Sequence, residues 1–292
     1  MPVFGRLITA MITPFAEDGS VDLDAAVRLA EHLVDDQDND ALVINGTTGE
    51  SPTTSDAEKR DLVRAVKDAV GDRAQVLAGV GTFSTDHTLR LAAEAAEAGA
   101  DGLLVVTPYY SRPPQDALAA HFLTVADATD LPIMIYDIPH RSGVPVESAT
   151  LVQIATHPRI VAVKDAKGNP VASSQVMADT NLTYYAGDDA ITLPLMAVGG
   201  VGLVGTSTHF TGRAAKTMIE AFVSGDTERA LSLHRQLLPV FTGVFATQGP
   251  MLVKAGLNAR GMAVGGMRRP LLEASPVQAA TFVALLDALE IG

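Results

Sequence analysis

Short aliphatic runs recur along the chain, separated by longer segments in which apolar residues return every three or four positions. The runs lie at 7–12, 41–44, 75–80, 102–106, 132–136, 160–164, 182–186 and 201–206. Most are nearly continuous in Leu, Ile, Val and Ala, as expected of strands covered on both faces, where neither side meets water. The segments between them read as amphipathic helices. In 22–34, Leu23, Val27, Ala30 and Val34 fall near one face, and in 56–70 Leu62, Val63, Val66 and Val70 do the same. The Ala-rich stretch 89–98 stops at Gly99, a residue type that ends helices readily.

Strand–helix alternation with short connections implies right-handed βαβ units and a parallel sheet. Eight repeats over about 225 residues fit a closed (β/α)₈ TIM barrel, an α/β fold, with an open doubly wound sheet as the alternative. After residue 224 the strand pattern ceases. Segments 226–245, 249–258 and 276–289 read as helices, with Gly265, Gly266 and Pro270 between the last two. The expected division is a barrel over 1–224 and a C-terminal helical region over 225–292. That region is too small to hold a core of its own comfortably, so it is expected to pack on the barrel or on another subunit.

Composition narrows the function classes. The chain has 292 residues, 47% of them hydrophobic and 19% charged, enough for one large core. It has no cysteine, which excludes disulfides, thiolate metal sites and a cysteine nucleophile. The net charge of −13 opposes general nucleic-acid binding and anionic membrane surfaces. A small anionic substrate stays open, since a few well-placed cations dominate locally. The apolar N-terminus could pass for a secretory leader, but one Arg, no evident cleavage site and Pro14 followed by acidic residues make it a buried strand. No segment approaches the ~20 apolar residues of a membrane span. A cytoplasmic location is the expectation from these absences.

In a barrel, chemistry gathers at the carboxyl ends of the strands. The second strand ends in Gly46-Thr47-Thr48-Gly49-Glu50-Ser51, a tight turn whose backbone N–H groups suit a carboxylate, or else a plain loop before a helix capped at Ser55. The fourth ends in Pro108-Tyr109-Tyr110, offering phenols as proton carriers or as packing aromatics. The fifth ends in Tyr136-Asp137-Ile138-Pro139-His140-Arg141-Ser142-Gly143, where Arg141 could grip a carboxylate or form a surface salt bridge. The sixth, Ile160-Val161-Ala162-Val163-Lys164, is an aliphatic strand terminating in lysine. Facing the barrel, Lys164 would be desolvated and so supply the neutral amine that attacks a ketone; alternatively it snorkels to solvent. Lys167 is a rival beyond the strand, and Asp165 could stabilise either cation.

Other patterns carry less. Gly200-Val201-Gly202-Leu203-Val204-Gly205 satisfies G-x-G-x-x-G, but its glycines fall at and within a strand rather than in a strand-to-helix turn. The seven histidines show no short-range metal-binding pairing. Neither Ser51 nor Ser142 has nucleophile-elbow spacing.

The ordered set Gly46-Thr47-Thr48-Gly49-Glu50-Ser51, Pro108-Tyr109-Tyr110, Tyr136-x-x-Pro139-x-Arg141-Ser142-Gly143, Val163-Lys164-Asp165-Ala166-Lys167-Gly168 and Gly187-Asp188-Asp189 resembles the dihydrodipicolinate synthase family, in its actinobacterial form, over nearly the whole chain. The resemblance implies a homotetrameric barrel that condenses pyruvate with L-aspartate 4-semialdehyde, with no metal or organic cofactor. It implies a Schiff base at Lys164, a proton relay of Thr48, Tyr136 and Tyr110 with Tyr110 reaching in from a neighbouring subunit, and Thr47 and Thr48 on the pyruvate carboxylate. It also implies Arg141 on the semialdehyde carboxylate, and backbone contacts from Gly187 and Val204. Related sugar-acid lyases usually carry Ser in place of Thr47; a non-catalytic barrel is the remaining alternative. Two departures stand out. Gly205 replaces the usual Ser and would remove a side chain beside the lysine, and Asp137 replaces Asn and is expected to orient Arg141. Phe83, His87, Asp56 and Lys59 replace residues usual at the regulatory lysine site, so weak or absent inhibition by lysine is expected.

Overall fold

A computed structural model describes residues 2–289. Eight strands close into a barrel in sequence order: β1 (Leu7–Ala10), β2 (Ala41–Ile44), β3 (Gln75–Gly79), β4 (Gly102–Val106), β5 (Ile133–Asp137), β6 (Ile160–Asp165), β7 (Thr183–Ala186) and β8 (Gly202–Gly205). Every pairing is parallel, β8 returning to β1. The expected fold is therefore present, and the open sheet is excluded.

The barrel helices are α1 (Leu23–Glu31), α2 (Asp56–Val70), α3 (Thr85–Glu97), α4 (Gln115–Asp127), α5 (Pro139–Ser142), α6 (Ser148–Ile154), α7 (Pro170–Asp179), α8 (Thr192–Met196) and α9 (Thr208–Val223). Helix α2 starts where its residues demand. Ser55 Oγ accepts from the Glu58 N–H at 3.3 Å, and the Glu58 carboxylate accepts from the Ser55 N–H at 2.8 Å, a reciprocal capping box. Helix α3 begins four residues earlier than its apolar pattern suggested, because Ser84 caps it.

Two apolar layers follow from strand alternation. Ile8, Ala10, Leu104, Met134, Tyr136, Ala162, Tyr185 and Val204 fill the barrel interior. Leu7, Val105, Ile135, Val163, Tyr184 and Ala186 face outward into the helical layer. On β5 and β6 the register sets Tyr136 beside Lys164 and, one step further, Asp137 beside Asp165. The first pair faces in and the second faces out.

Beyond the turn at 224–226 come α10 (Thr227–Gly243), α11 (Gly249–Ala259) and α12 (Pro276–Asp287). Phe241, Leu252, Val253, Leu257, Phe282 and Leu286 belong to the same buried cluster as the outer face of the barrel. These helices thus complete the barrel's core rather than building a second one. No helix among the described residues is long and apolar enough to cross a membrane.

Candidate active site

A cavity of about 420 Å³ opens at the carboxyl ends of the strands, lined by Thr47, Thr48, Tyr136, Arg141, Lys164 and Gly187 among others. A second lobe of about 230 Å³ shares Thr47, Tyr136 and Arg141 with it and runs to Tyr109. The structure thus gathers residues from β2, β5, β6 and β7 that are far apart in sequence.

Lys164 is 5% exposed at the end of β6. Its Nζ stands 4.2 Å from the centroid of the Tyr136 ring, and no carboxylate among the described residues pairs with it. Burial lowers its pKa to about 8, with the Arg141 charge adding to the effect and Asp189 opposing it. Asp189 is itself occupied. Its carboxylate accepts from the Ser207 N–H at 2.8 Å, the Ser207 hydroxyl at 2.5 Å and the Thr206 N–H at 3.1 Å. Gly187 makes the lysine's position possible, since a Cβ there would lie 3.0 Å from Lys164 Cγ.

Tyr136 is buried, and burial pushes its phenol up to about 12, so it stays protonated at neutral pH. Arg141 projects from the single-turn α5, held by the Arg141 and Ser142 N–H groups donating to Ile138 O. Arg141 is exposed and forms no ion pair among the described residues, so the salt-bridge alternative does not apply. Its charge reaches both Tyr136 and Lys164.

The β2 loop is a compact turn. Gly49 N–H donates to Gly46 O at 3.0 Å, Glu50 N–H to Thr47 O at 3.1 Å, and Thr13 Oγ1 to Gly49 O at 2.7 Å. Glu50 takes a left-handed conformation with φ of 55° and is fixed by Lys254 Nζ at 2.7 Å and the Arg268 N–H at 3.0 Å. The C-terminal region therefore braces this turn.

Thr47, Thr48 and Tyr136 line the cavity together; the Thr47 side chain acts on the Tyr136 phenol, and the Thr48 hydroxyl lies 3.4 Å from that of Thr206. Asp137 does not orient Arg141. It faces the helical layer, accepts from the Val146 N–H at 3.1 Å and pairs with Lys167 at 3.6 Å. Gly205 leaves no gap beside Lys164, because a Cβ there would meet Thr208 Cγ2 at 2.6 Å and Asp189 Oδ1 at 3.0 Å. The Val204 side chain packs in the barrel interior, which leaves its backbone for the expected contact. Tyr110, with φ of 73° and 93% exposure, is not among the residues lining its own chain's cavity, in keeping with its expected place at a neighbouring copy's site.

Sequence reasoning missed Thr206, Phe241, Thr242, Phe245 and Gln248, all of which line the cavity. Thr206 was legible as the residue ending strand eight. Phe241 and Thr242 on α10 carried no signal, because an amphipathic helix shows the same period whichever surface it covers, and Phe245 and Gln248 lie in the irregular connection to α11. No group of three or more His, Asp or Glu residues among those described could hold a metal ion.

A profile of the Dihydrodipicolinate synthetase family matches residues 3–289. The chain is 60% identical over 290 residues to the 4-hydroxy-tetrahydrodipicolinate synthase of Cutibacterium acnes, covering 99% of each. It is 56% identical over 273 residues to 4-hydroxy-tetrahydrodipicolinate synthase 2 of Streptomyces coelicolor, covering 94% of this chain and 91% of that one. Among solved structures, the lysine-bound enzyme of this type from Cyanidioschyzon merolae superposes with a TM-score of 0.97 at 38% identity over 99% of each chain. Dihydrodipicolinate synthase DapA-2 from Bacillus anthracis superposes at 0.95, with 37% identity and full coverage of both.

Proposed function

The chain belongs to the Dihydrodipicolinate synthetase family, and from that premise we propose that Lys164 is the Schiff-base lysine of a 4-hydroxy-tetrahydrodipicolinate synthase. The enzyme is a lyase that condenses pyruvate with L-aspartate 4-semialdehyde, in diaminopimelate and lysine biosynthesis. The observation that carries the assignment of roles is the enclosed Lys164 amine, unpaired and over the Tyr136 ring at the mouth of the barrel. At a pKa of about 8, roughly a tenth of it is neutral at pH 7, against about one part in 3,000 for an ordinary lysine.

The neutral amine adds to the keto carbon of pyruvate, and the resulting carbinolamine hydroxyl takes a proton and leaves as water, which gives an iminium. The positive nitrogen draws electrons from the methyl carbon, a proton leaves, and the resulting enamine attacks the aldehyde. The substrate's own amine then displaces Lys164 as the ring closes. Each step moves a proton, and the protonated Tyr136 phenol beside Lys164 suits that traffic. Thr47 and Thr48 complete the relay beside Tyr136. Among the described residues no backbone acceptor takes the N–H of Thr47 or Thr48, which leaves this turn free to hold the pyruvate carboxylate. Arg141 receives the semialdehyde carboxylate.

The assembly we propose is a homotetramer in the cytoplasm, in which Tyr110 serves a neighbouring copy's site; its exposed phenol supports that reading. Inhibition by lysine is weak, since Asp56 and His87 bond each other at 2.9 Å and Lys59 Nζ is spent on Thr54 O. Incubation with pyruvate, borohydride reduction and peptide mass mapping tests the mechanism. The expected adduct is on Lys164; an unmodified Lys164 overturns it. Coupled turnover with aspartate semialdehyde follows.

A further inference from the structure

Behind the catalytic pair, on the outward face of the same two strands, lies a second buried charged cluster that the proposed chemistry does not use. Lys167 Nζ sits 3.6 Å from Asp137 Oδ2 and 3.6 Å from Asp165 Oδ2. All three side chains are nearly or fully buried, Asp137 at 0% exposure. Each carboxylate is also fixed through its other contacts. Asp137 Oδ1 accepts from the Val146 N–H at 3.1 Å; Asp165 Oδ1 accepts from the Lys167 N–H at 3.0 Å, and its Oδ2 from the Ser173 hydroxyl. Asp137 immediately follows Tyr136, and Asp165 immediately follows Lys164. The β5–β6 register pairs Tyr136 with Lys164 and Asp137 with Asp165.

We propose that Lys167 is a positioning residue, which ties the ends of β5 and β6 together from outside the barrel and so holds Tyr136 and Lys164 in mutual register inside it. The proposal rests on Lys164 and Tyr136 being the reacting pair. Main-chain continuity transmits the effect. Neighbouring residues on a strand point to opposite faces, so fixing Asp137 and Asp165 fixes the backbone from which Tyr136 and Lys164 project. After a register shift at Ile133/Met134 the β5–β6 pairing runs regularly to Asp137 and Asp165, and the tie sits at that end of it. The influence is geometric rather than electrostatic. The charges that act on Lys164 are those of Asp189 and Arg141, and Lys167 is not among them. A displacement of about 1 Å between reacting groups costs on the order of 100-fold in rate.

Three forms decide the matter. Lys167→Met keeps the apolar stem and removes the tie. Asp137→Asn with Lys167→Met removes it while leaving only the Ser173-bound carboxylate, which protects folding if the single variant fails. Lys167→Arg keeps a cation in place. In the first two, kcat should fall roughly 10- to 100-fold with the pyruvate KM and the pH midpoint of borohydride-trapped adduct formation unchanged, and Lys167→Arg should recover most of the loss. A folded Met variant, single or double, with kcat within about twofold of the parent overturns the proposal, as does a shifted pH midpoint. Failure of the parent protein to trap pyruvate on Lys164 would refute the proposed function instead, so the two failures are distinct.

Discussion

Lys164 and Lys167 lie three residues apart, both buried, on opposite faces of the same wall of the barrel, and their surroundings send them to opposite ends of lysine chemistry. The inner lysine meets an aromatic ring, a cation and a carboxylate already satisfied by three donors. The outer one meets two carboxylates at equal distance. Burial alone therefore does not make a lysine reactive. What matters is whether the fold supplies a counter-charge, and here the fold withholds it on one face and doubles it on the other. Lys254 stands between the two: Glu50 pairs with it at 2.7 Å over the Phe15 ring, yet burial still holds its pKa below the ordinary lysine range.

Removing each lysine in turn breaks the comparison most sharply. Lys164→Met should abolish synthesis, by roughly four orders of magnitude or more in kcat, and abolish borohydride trapping. It should leave the urea midpoint unchanged or raised, because an unpaired buried ammonium is replaced by an apolar side chain of similar length. Lys167→Met should do the reverse to stability, costing about 3–5 kcal/mol by leaving two buried carboxylates without their cation. Urea titrations of both variants at pH 7 check the contrast. A Lys164→Met protein destabilised as much as Lys167→Met would show that the inner face is not held against its own stability.

The carboxylate side of the outer cluster is open to pH. Burial raises Asp137 to about 6, and Lys167 does not bring it back to the ordinary range near 3.8. A folded-state pKa above the unfolded one means the native protein binds this proton more tightly. The contribution is thus fully present below about pH 4 and is lost as pH rises through about 6. Such a shift is worth roughly 3 kcal/mol, so the parent should gain about that much on Asp137→Asn between pH 7 and pH 4. Parallel stability curves for the two proteins over that range would remove Asp137 from the account.

How far this wall could be foreseen differs by face. The alternation of β6 and its terminal lysine made Lys164 visible in sequence, because one aliphatic strand carries both the fold signal and the chemical one. Asp137 and Lys167 were visible as residues but not as partners. Asp137 was read toward Arg141, four residues on, since sequence shows neighbours along the chain and not which side of a strand a residue takes. Thr47 and Thr48 were not separable in sequence for the same reason: adjacent residues in a tight turn diverge, one to Tyr136 and the other to Thr206. The α10 residues that close the cavity, Phe241 and Thr242, stayed hidden, since their helical period is equally that of a plain core face.

The smallest effect isolates the field on the inner lysine. Arg141 is exposed at the cavity mouth, yet its charge contributes to lowering Lys164. Arg141→Met removes that contribution, so Lys164 moves back toward the ordinary lysine range and its neutral fraction at pH 7 falls. The pH midpoint of pyruvate adduct formation should therefore move upward. The displacement should be modest, about half a pH unit or less, because solvent and salt screen a charge held at the surface. Raised ionic strength should move the parent's midpoint in the same direction and leave that of Arg141→Met nearly still. The loss of aldehyde binding expected in this variant does not interfere, since the adduct forms with pyruvate alone. A midpoint unmoved by both the substitution and salt would mean that burial by itself sets the reactivity of Lys164, and the contrast between the two faces would then rest on desolvation against pairing, with no part for the cation at the mouth.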